Sequence, residues 1–170
     1  TDSFQLSAAS LGLKMPARHP LYSFAEPLTP ALAARRAGVS IELEAVRSWI
    51  DAIATGAPAS AELVIESAGG VFSPIGDGVT NFELARALDP ATWVLVAPDR
   101  LGVLHDVGSC CLAMAALGRP PDCIVLSAPE HADSSTGTNR EELLRNPKMP
   151  PILSLPRGDI APLRVLAMWS

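Results

Sequence analysis

The chain of 170 residues is long enough for one domain with a substantial hydrophobic core. Its net charge of −5 argues against a nucleic-acid partner, because phosphate binding requires clustered Lys and Arg. No apolar run reaches the length of a membrane span, and the first residues lack the layout of a signal peptide. The three cysteines form no C-x-x-C pair, which favours reduced core thiols in a cytoplasmic protein.

Two helices are predicted first along the chain. Thr29 followed by Pro30 is a typical helix start, and this helix should end near Gly38. Ser40 should cap a second helix, whose apolar stripe includes Trp49. We expect Trp49 to be a core residue.

The next stretch combines a short apolar run with an acid and two glycines. Residues 63–65 predict a strand buried on both faces, and Glu66 stands where that strand should end. Gly69 and Gly70 allow a tight turn and a close approach of the backbone to a ligand. Ligands of open α/β sheets bind beyond the carboxyl ends of the strands, so Glu66 could hold Mg²⁺ or accept a hydrogen bond from an amine. The alternative is an ordinary strand-to-loop junction with a solvated carboxylate.

The remainder alternates between strand and helix patterns. Strands are predicted over 92–97, 122–127 and 151–155, and helices over 80–88, 104–117, 139–145 and 160–168. This rhythm is typical of right-handed crossovers between parallel strands. The predicted fold is therefore α/β, a mostly parallel sheet with flanking helices.

Polar residues follow several predicted strands and outline a crevice at one sheet edge. Gly102, just before the long helix, would leave backbone N–H groups free to bind a carboxylate or a phosphate. His105 lies inside that helix, either as a neutral donor to a ligand or as a surface capping residue. The sequence has no Walker phosphate loop, no G-x-S-x-G and no zinc-like spacing of His and Cys. The residues at the strand exits are Glu66, Asp99, Arg100, Ser127, Pro156, Arg157 and Asp159.

Three blocks of the chain resemble dethiobiotin synthetases, in the same order and at similar spacing. They are YSFAEPLTP at 22–30, VIESAGG at 64–70 and RLG at 100–102, and the similarity runs from about residue 1 to about residue 157. The resemblance implies homodimers with a P-loop NTPase-like fold. It also implies an enzyme that carboxylates 7,8-diaminononanoate with CO₂, activates the carbamate with MgATP and closes a cyclic urea in biotin synthesis.

The resemblance also assigns roles to individual residues. It makes Glu66 the catalytic acid that holds Mg²⁺ and the substrate amine, and Asp2 a second metal-associated residue. The family commonly has Asn near the position of His105 and usually has an adenine-recognising Asn where this chain has Ser127. Substrate-binding roles are expected for Gly69, Gly70, Gly102, Val103 and His105, and nucleotide-binding roles for Ser127, Pro156 and Arg157.

The family begins with a first strand, a phosphate-binding loop, a first helix and a substrate lysine, which have no counterpart in this chain. We therefore expect residues 1–170 to be one N-terminally incomplete domain: a fragment, a split subunit or a degenerate relative. Such a chain alone should not use ATP, because nothing in it would surround a γ-phosphate. The alternatives are a non-catalytic binding or dimerisation module of the same fold and a different P-loop ligase, such as an amidotransferase-like enzyme.

Overall fold

The computed structural model describes residues 20–58, 61–159 and 161–162. Asp2 and nearly all of the helix predicted over 160–168 lie outside the described residues. The chain divides into two compact units, Thr1–Leu88 and Asp89–Ser170. The single domain expected from the sequence stays a prediction.

The first helix in the described part of the first unit, α1 (Pro30–Ala37), confirms the predicted start and end. Pro30 occupies the first helical turn, where its missing N–H leaves no hydrogen bond unmade. Gly38 ends the helix in the left-handed conformation at φ 67°, and the following Val39 N–H donates to Ala34 O at 2.9 Å. The helix buries three alanines against the rest of the unit.

The second helix, α2 (Leu43–Thr55), begins three residues later than Ser40. The Ser40 hydroxyl donates to the Glu42 carboxylate at 2.6 Å, and Glu42 takes the N-cap position. The prediction that Ser40 caps this helix is therefore wrong, since its hydroxyl is engaged elsewhere. No residue of α2 is fully buried, and Trp49 is half-buried rather than in the core.

The strand predicted over 63–65 is absent, which corrects the sequence interpretation. Residues 61–67 have no regular structure, and Val64 is 89% exposed. A strand forms only where a neighbouring strand pairs with its backbone, and no described residue pairs with this run. An apolar run alone was not sufficient evidence for a buried strand.

A short hairpin that the sequence interpretation missed follows the glycines. Strands β1 (Pro74–Gly76) and β2 (Val79–Thr80) pair antiparallel across a turn at Asp77 and Gly78. Gly78 has φ 72°, and Asp-Gly is the typical sequence signal for such a turn. The hairpin leads directly into α3 (Asn81–Leu88), which confirms the helix predicted there.

The start of α3 is held by a reciprocal cap. Thr80 Oγ1 accepts the Phe82 N–H at 3.2 Å, while a Glu83 carboxylate oxygen accepts the Thr80 N–H at 2.9 Å and the Thr80 hydroxyl. The hydrogen bond from the Thr80 hydroxyl is the main cause of a lowered Glu83 pKa. This cap fixes the residue that follows it, Asn81.

The second unit is a three-stranded parallel sheet with helical crossovers, which confirms the predicted fold class. Its strand order is β3-β4-β5, so each strand lies next to its neighbour in sequence. In chain order the elements are β3 (Val94–Pro98), α4 (Val103–Ala116), β4 (Cys123–Ser127), α5 (Asn139–Leu144) and β5 (Ile152–Leu155).

The core of this unit is centred on β4. Its residues from Cys123 to Leu126 are at most 2% exposed, as expected for a strand covered on both faces. In β3 only alternate residues are buried, because Val94 and Val96 face outward. Strand β4 is therefore buried on both faces, whereas β3 is buried on one. Helix α4 contributes Val103, Val107 and Met114 to the core.

An ion pair joins the starts of β3 and β4. Arg119 and Asp122 form a salt bridge at 2.7 Å, and the guanidinium lies 5.1 Å from the centre of the Trp93 ring. Asp122 also accepts the Trp93 N–H at 2.7 Å. The hydrogen bonds from Arg119 lower the pKa of Asp122, and those to Asp122 raise the pKa of Arg119.

Candidate functional site

Glu66 lies in the irregular segment of the first unit, exposed to solvent. The turn after it needs glycine: Gly69 has φ 87°, and a Cβ there would lie 3.0 Å from Ser73 Oγ. Ser73 Oγ accepts the Gly70 N–H at 3.0 Å, and the Ser73 N–H donates to Gly70 O at 2.9 Å. The two glycines thus form a closed turn immediately after the acid.

Asn81 holds this turn from the start of α3. It is 4% exposed, and its Nδ2 donates to the carbonyls of Ala68 and Gly70, each at 2.9 Å. Its own N–H donates to Ser73 O at 3.1 Å. Its Oδ1 has no hydrogen-bond partner among the residues that the structure describes. Sequence reasoning missed Asn81, because the carbonyls that it binds, those of Ala68 and Gly70, are distant from it along the chain.

Residues 23–26 of the block at 22–30 line a cleft in the same unit. Arg36 forms an ion pair with Glu26 at 2.8 Å on its wall, and Phe24 stacks on Tyr22 with ring centres 6.4 Å apart. The Tyr22 hydroxyl accepts the Glu42 N–H at 3.3 Å. The lining of this cleft includes none of the predicted site residues.

In the second unit the three strands end at one edge. Pro98 pairs with Ser127, and Ser127 pairs with Leu155, so the residues that follow each strand lie together. The structure thus brings Asp99 and Arg100, Ser127, and Pro156 and Arg157 to one sheet edge, as expected from parallel strands. Ser127 is half-buried, while Pro156 and Arg157 are exposed.

The first turn of α4 stands at the same edge. Gly102 is its N-cap residue at φ 94°, and His105 is exposed within this first turn. Val103 is fully buried, and its N–H donates to Arg100 O at 3.1 Å, so Val103 supports the turn from inside. Among the described residues, no acceptor takes the N–H groups of Gly102 and Leu104. Arg100 forms a 3.4 Å ion pair with Asp106.

A buried acid ties the exit of β3 to the loop after β4, residues 128–138. Asp99 is 5% exposed and accepts hydrogen bonds from Asn139 Nδ2 at 2.7 Å and from the Gly137 N–H at 2.8 Å. Its N–H donates to Ser127 O at 2.8 Å. The Thr136 hydroxyl donates to the Asp99 carbonyl at 3.0 Å. Asp99 was expected at this edge as a polar lining residue, but its side chain is occupied by the loop.

A second acid, Asp133, joins the same two loops from the other side. One of its oxygens accepts the Leu101 N–H at 2.8 Å, and the other accepts the Ser135 N–H and hydroxyl. These hydrogen bonds, that from Leu101 foremost, lower the pKa of Asp133 to about 2. Sequence reasoning missed Asp133 and Asn139. The spacing of Asp133 and Ser135 was a signal, because Asp often bonds the backbone two residues on.

A family model described as an AAA domain matches residues 6–159. Three proteins described as ATP-dependent dethiobiotin synthetase BioD are similar to the chain. That of Rhodopirellula baltica is 37% identical over 156 residues, 85% of this chain and 59% of the relative. That of Anaeromyxobacter dehalogenans is 34% identical over 95% of this chain and 71% of the relative. That of Ralstonia nicotianae is 38% identical over 66% of this chain and 47% of the relative.

The chain belongs to the dethiobiotin synthetase family. It spans 59% of the length of the Rhodopirellula baltica relative. The fold class expected from the family, a P-loop NTPase-like α/β domain, agrees with the parallel sheet of the second unit.

No group of three or more His, Cys, Asp or Glu side chains in the described ranges is arranged to bind a metal ion. Nor is any helix in those ranges both long and apolar enough to cross a membrane.

Proposed function

We propose that the complete protein is an ATP-dependent dethiobiotin synthetase. It would carboxylate 7,8-diaminononanoate with CO₂ and close the cyclic urea of dethiobiotin, a step of biotin synthesis. The observation that carries the proposal is the 34% identity to the Anaeromyxobacter dehalogenans synthetase over 95% of this chain. The proposal includes a cytoplasmic homodimer, which rests on the resemblance alone.

Glu66 is proposed as the acid that binds the substrate amine and Mg²⁺. Its carboxylate is exposed and follows directly on irregular backbone, so both oxygens are accessible to a ligand. Mg²⁺ is usually bound in proteins through one or two carboxylates together with phosphates and water, so a single exposed acid fits it. Asp2 is proposed as the second carboxylate. When bound, MgATP supplies the phosphoryl group that activates the carbamate for ring closure.

The turn at Gly69 and Gly70 is proposed to lie against the diamine. The absence of side chains there lets the backbone approach a ligand closely. Three hydrogen bonds from Asn81 to Ala68, Gly70 and Ser73 hold the turn in place. A turn fixed before the substrate arrives loses little conformational entropy on binding.

The first turn of α4 is proposed to bind the carboxylate end of the diamine. The available N–H groups of Gly102 and Leu104 and the positive end of the helix dipole favour an anion. The exposed His105 can donate a hydrogen bond to the same group. Val103 contributes by holding the turn from the core.

The exits of β4 and β5 are proposed to bind the nucleotide. Ser127 is half-buried at the sheet edge and offers a hydroxyl, which both donates and accepts a hydrogen bond. Pro156 and Arg157 follow β5, and the Arg157 guanidinium lies 3.9 Å from Glu130. A hydroxyl in place of an amide should recognise adenine less selectively, because it makes one hydrogen bond where an amide makes two.

The test is synthesis of dethiobiotin by the full-length protein with diaminononanoate, bicarbonate and MgATP. We expect Glu66→Gln to lower kcat by at least about 100-fold, because removing a group that acts on the reacting atoms typically costs that much. Glu62→Gln is the matched control, since Glu62 is an exposed acid of the same irregular segment. Full activity of Glu66→Gln would remove Glu66 from the mechanism.

Calorimetry with MgATP and with diaminononanoate separates the enzyme from a non-catalytic module. The synthetase should bind both ligands, whereas a dimerisation module of the same fold should release no heat with either. Absence of both turnover and binding would refute the proposed function.

A further inference from the structure

The loop after β4 (residues 128–138) is anchored to residues outside it at several points. On one side it meets the exit of β3, through Asp99 and Leu101. On the other side Glu130 lies 3.9 Å from Arg157, which follows β5. The loop therefore contacts both the segment before α4 and the segment after β5.

One of these anchors acts directly on the proposed diamine site. Asp133 accepts the N–H of Leu101, the residue immediately before Gly102, which begins α4. Gly102 has a left-handed conformation, and the direction of the Gly102 and Leu104 N–H groups depends on that conformation. A shift of Leu101 would therefore redirect the donors expected to hold the diamine carboxylate.

We propose that Asp133 is a positioning residue that fixes the Leu101–Gly102 turn and thereby the diamine-binding end of α4. This inference rests on the proposed function. The carboxylate is suited to the task because its two oxygens serve different loops: one binds Leu101, and the other binds Ser135 within residues 128–138. A carboxylate that accepts several N–H and O–H groups stays ionised, in agreement with its pKa of about 2.

Of the two acids, only Asp133 can be substituted to test this role without disrupting the loop, because Asp99 is buried. Asp99 is held by Asn139 and Gly137 inside the unit, so its removal would leave buried donors without acceptors and unfold the loop. Asp133 is exposed, and a substitution there removes the connection without leaving a buried polar group unpaired.

The experiment uses Asp133→Asn in the full-length protein. Leu101 and Ser135 donate to different oxygens of Asp133, so the amide of Asn can accept from only one of them and its NH₂ group faces the other. We expect the KM for diaminononanoate to rise about tenfold, with the KM for ATP changed less than about twofold and kcat little altered. Hydrogen exchange at the N–H groups of Leu101 and Val103, which are the two hydrogen-bonded amides of residues 101–104, should accelerate in the same variant.

Ser135→Ala is the matched control. It removes the hydroxyl bond to Asp133 within residues 128–138 but leaves the carboxylate bond to Leu101 in place. Its KM for the diamine and its exchange at residues 101–104 should match the wild type.

Two outcomes would overturn the inference. One is an active wild type whose Asp133→Asn variant keeps its KM for the diamine; the other is a raised KM with unchanged exchange at residues 101–104. A wild type with no synthetase activity would instead refute the proposed function, and hydrogen exchange would still decide whether Asp133 holds the turn.

Discussion

The two loops that carry the proposed chemistry are built in opposite ways. The segment with Glu66 follows an apolar run that pairs with no described strand, and one buried amide, Asn81, holds its glycine turn. The loop after β4 follows a fully buried strand and is held by two carboxylates, Asp99 and Asp133. An apolar run becomes a strand only where neighbours pair with it, and the loop after it is then anchored by those neighbours.

The largest expected effect is a difference in stability between one substitution in β4 and the same substitution in the apolar run at 63–65. Ile124→Ala in β4 should lower the free energy of unfolding by about 4 kcal/mol, because Ile124 is fully buried and the substitution leaves a cavity. The same change at Ile65 should cost about 1 kcal/mol or less, since Ile65 is 43% exposed. Urea denaturation of the two variants measures the difference. Equal losses would mean that residues 63–65 are buried in the native protein.

A smaller difference in stability is expected when one glycine of each loop is replaced by alanine. Gly69 and Gly137 have nearly equal φ angles, 87° and 88°, so an alanine should cost each about 1 kcal/mol in backbone strain. At Gly137 the new Cβ meets no atom within 4 Å, whereas at Gly69 it lies 3.0 Å from Ser73 Oγ. Because that oxygen accepts the Gly70 N–H, moving it should add about 1 kcal/mol.

Thermal unfolding of Gly69→Ala and Gly137→Ala, each compared with the wild type, measures the loss of stability in each variant. Equal destabilisation of the two variants would show that Ser73 does not close the turn after Glu66.

The smallest expected effect is the dependence of stability on pH that Asp133 contributes. The pKa of Asp133 in the folded protein is about 2, below its ordinary value of 3.8, so the ionised form favours the folded state. This contribution is present above about pH 4 and is lost as the pH falls through about 2. The difference in stability between the wild type and Asp133→Asn should therefore shrink over that interval. An NMR titration of the Asp133 carboxyl carbon with a midpoint near 4 would contradict the hydrogen bonds from Leu101 and Ser135.

The sequence alone was sufficient to predict the strands and helices of the second unit from β3 to β5. The strands and helices from β3 to β5 are close to their predicted bounds, because hydrophobic period and Gly or Pro punctuation act locally. The prediction that Asp99, Ser127 and Pro156 lie at the same sheet edge followed from parallel pairing, which requires only the strand order.

The same reasoning failed where structure depends on distant partners. The run at 63–65 has the composition of a strand, but pairing depends on other segments that composition does not report. Asn81, Asp133 and Asn139 are polar residues whose roles come from the carbonyls and N–H groups that the fold brings to them. The resemblance implied a substrate-binding role for Val103, which stays a prediction; the side chain of Val103 is fully buried.

The segment from Trp93 to Ser127, which contains β3, α4 and β4, is closed by a hydrogen bond at each end. Asp122 accepts the Trp93 N–H where β3 and β4 begin, and Ser127 O accepts the Asp99 N–H where they end. These closures join residues about thirty positions apart, across a single helix, so their loop-closure entropy is modest. We expect β3, α4 and β4 to form the folding nucleus of this half of the chain. During synthesis they could pair before β5 leaves the ribosome, so that β5 adds to a sheet that already exists.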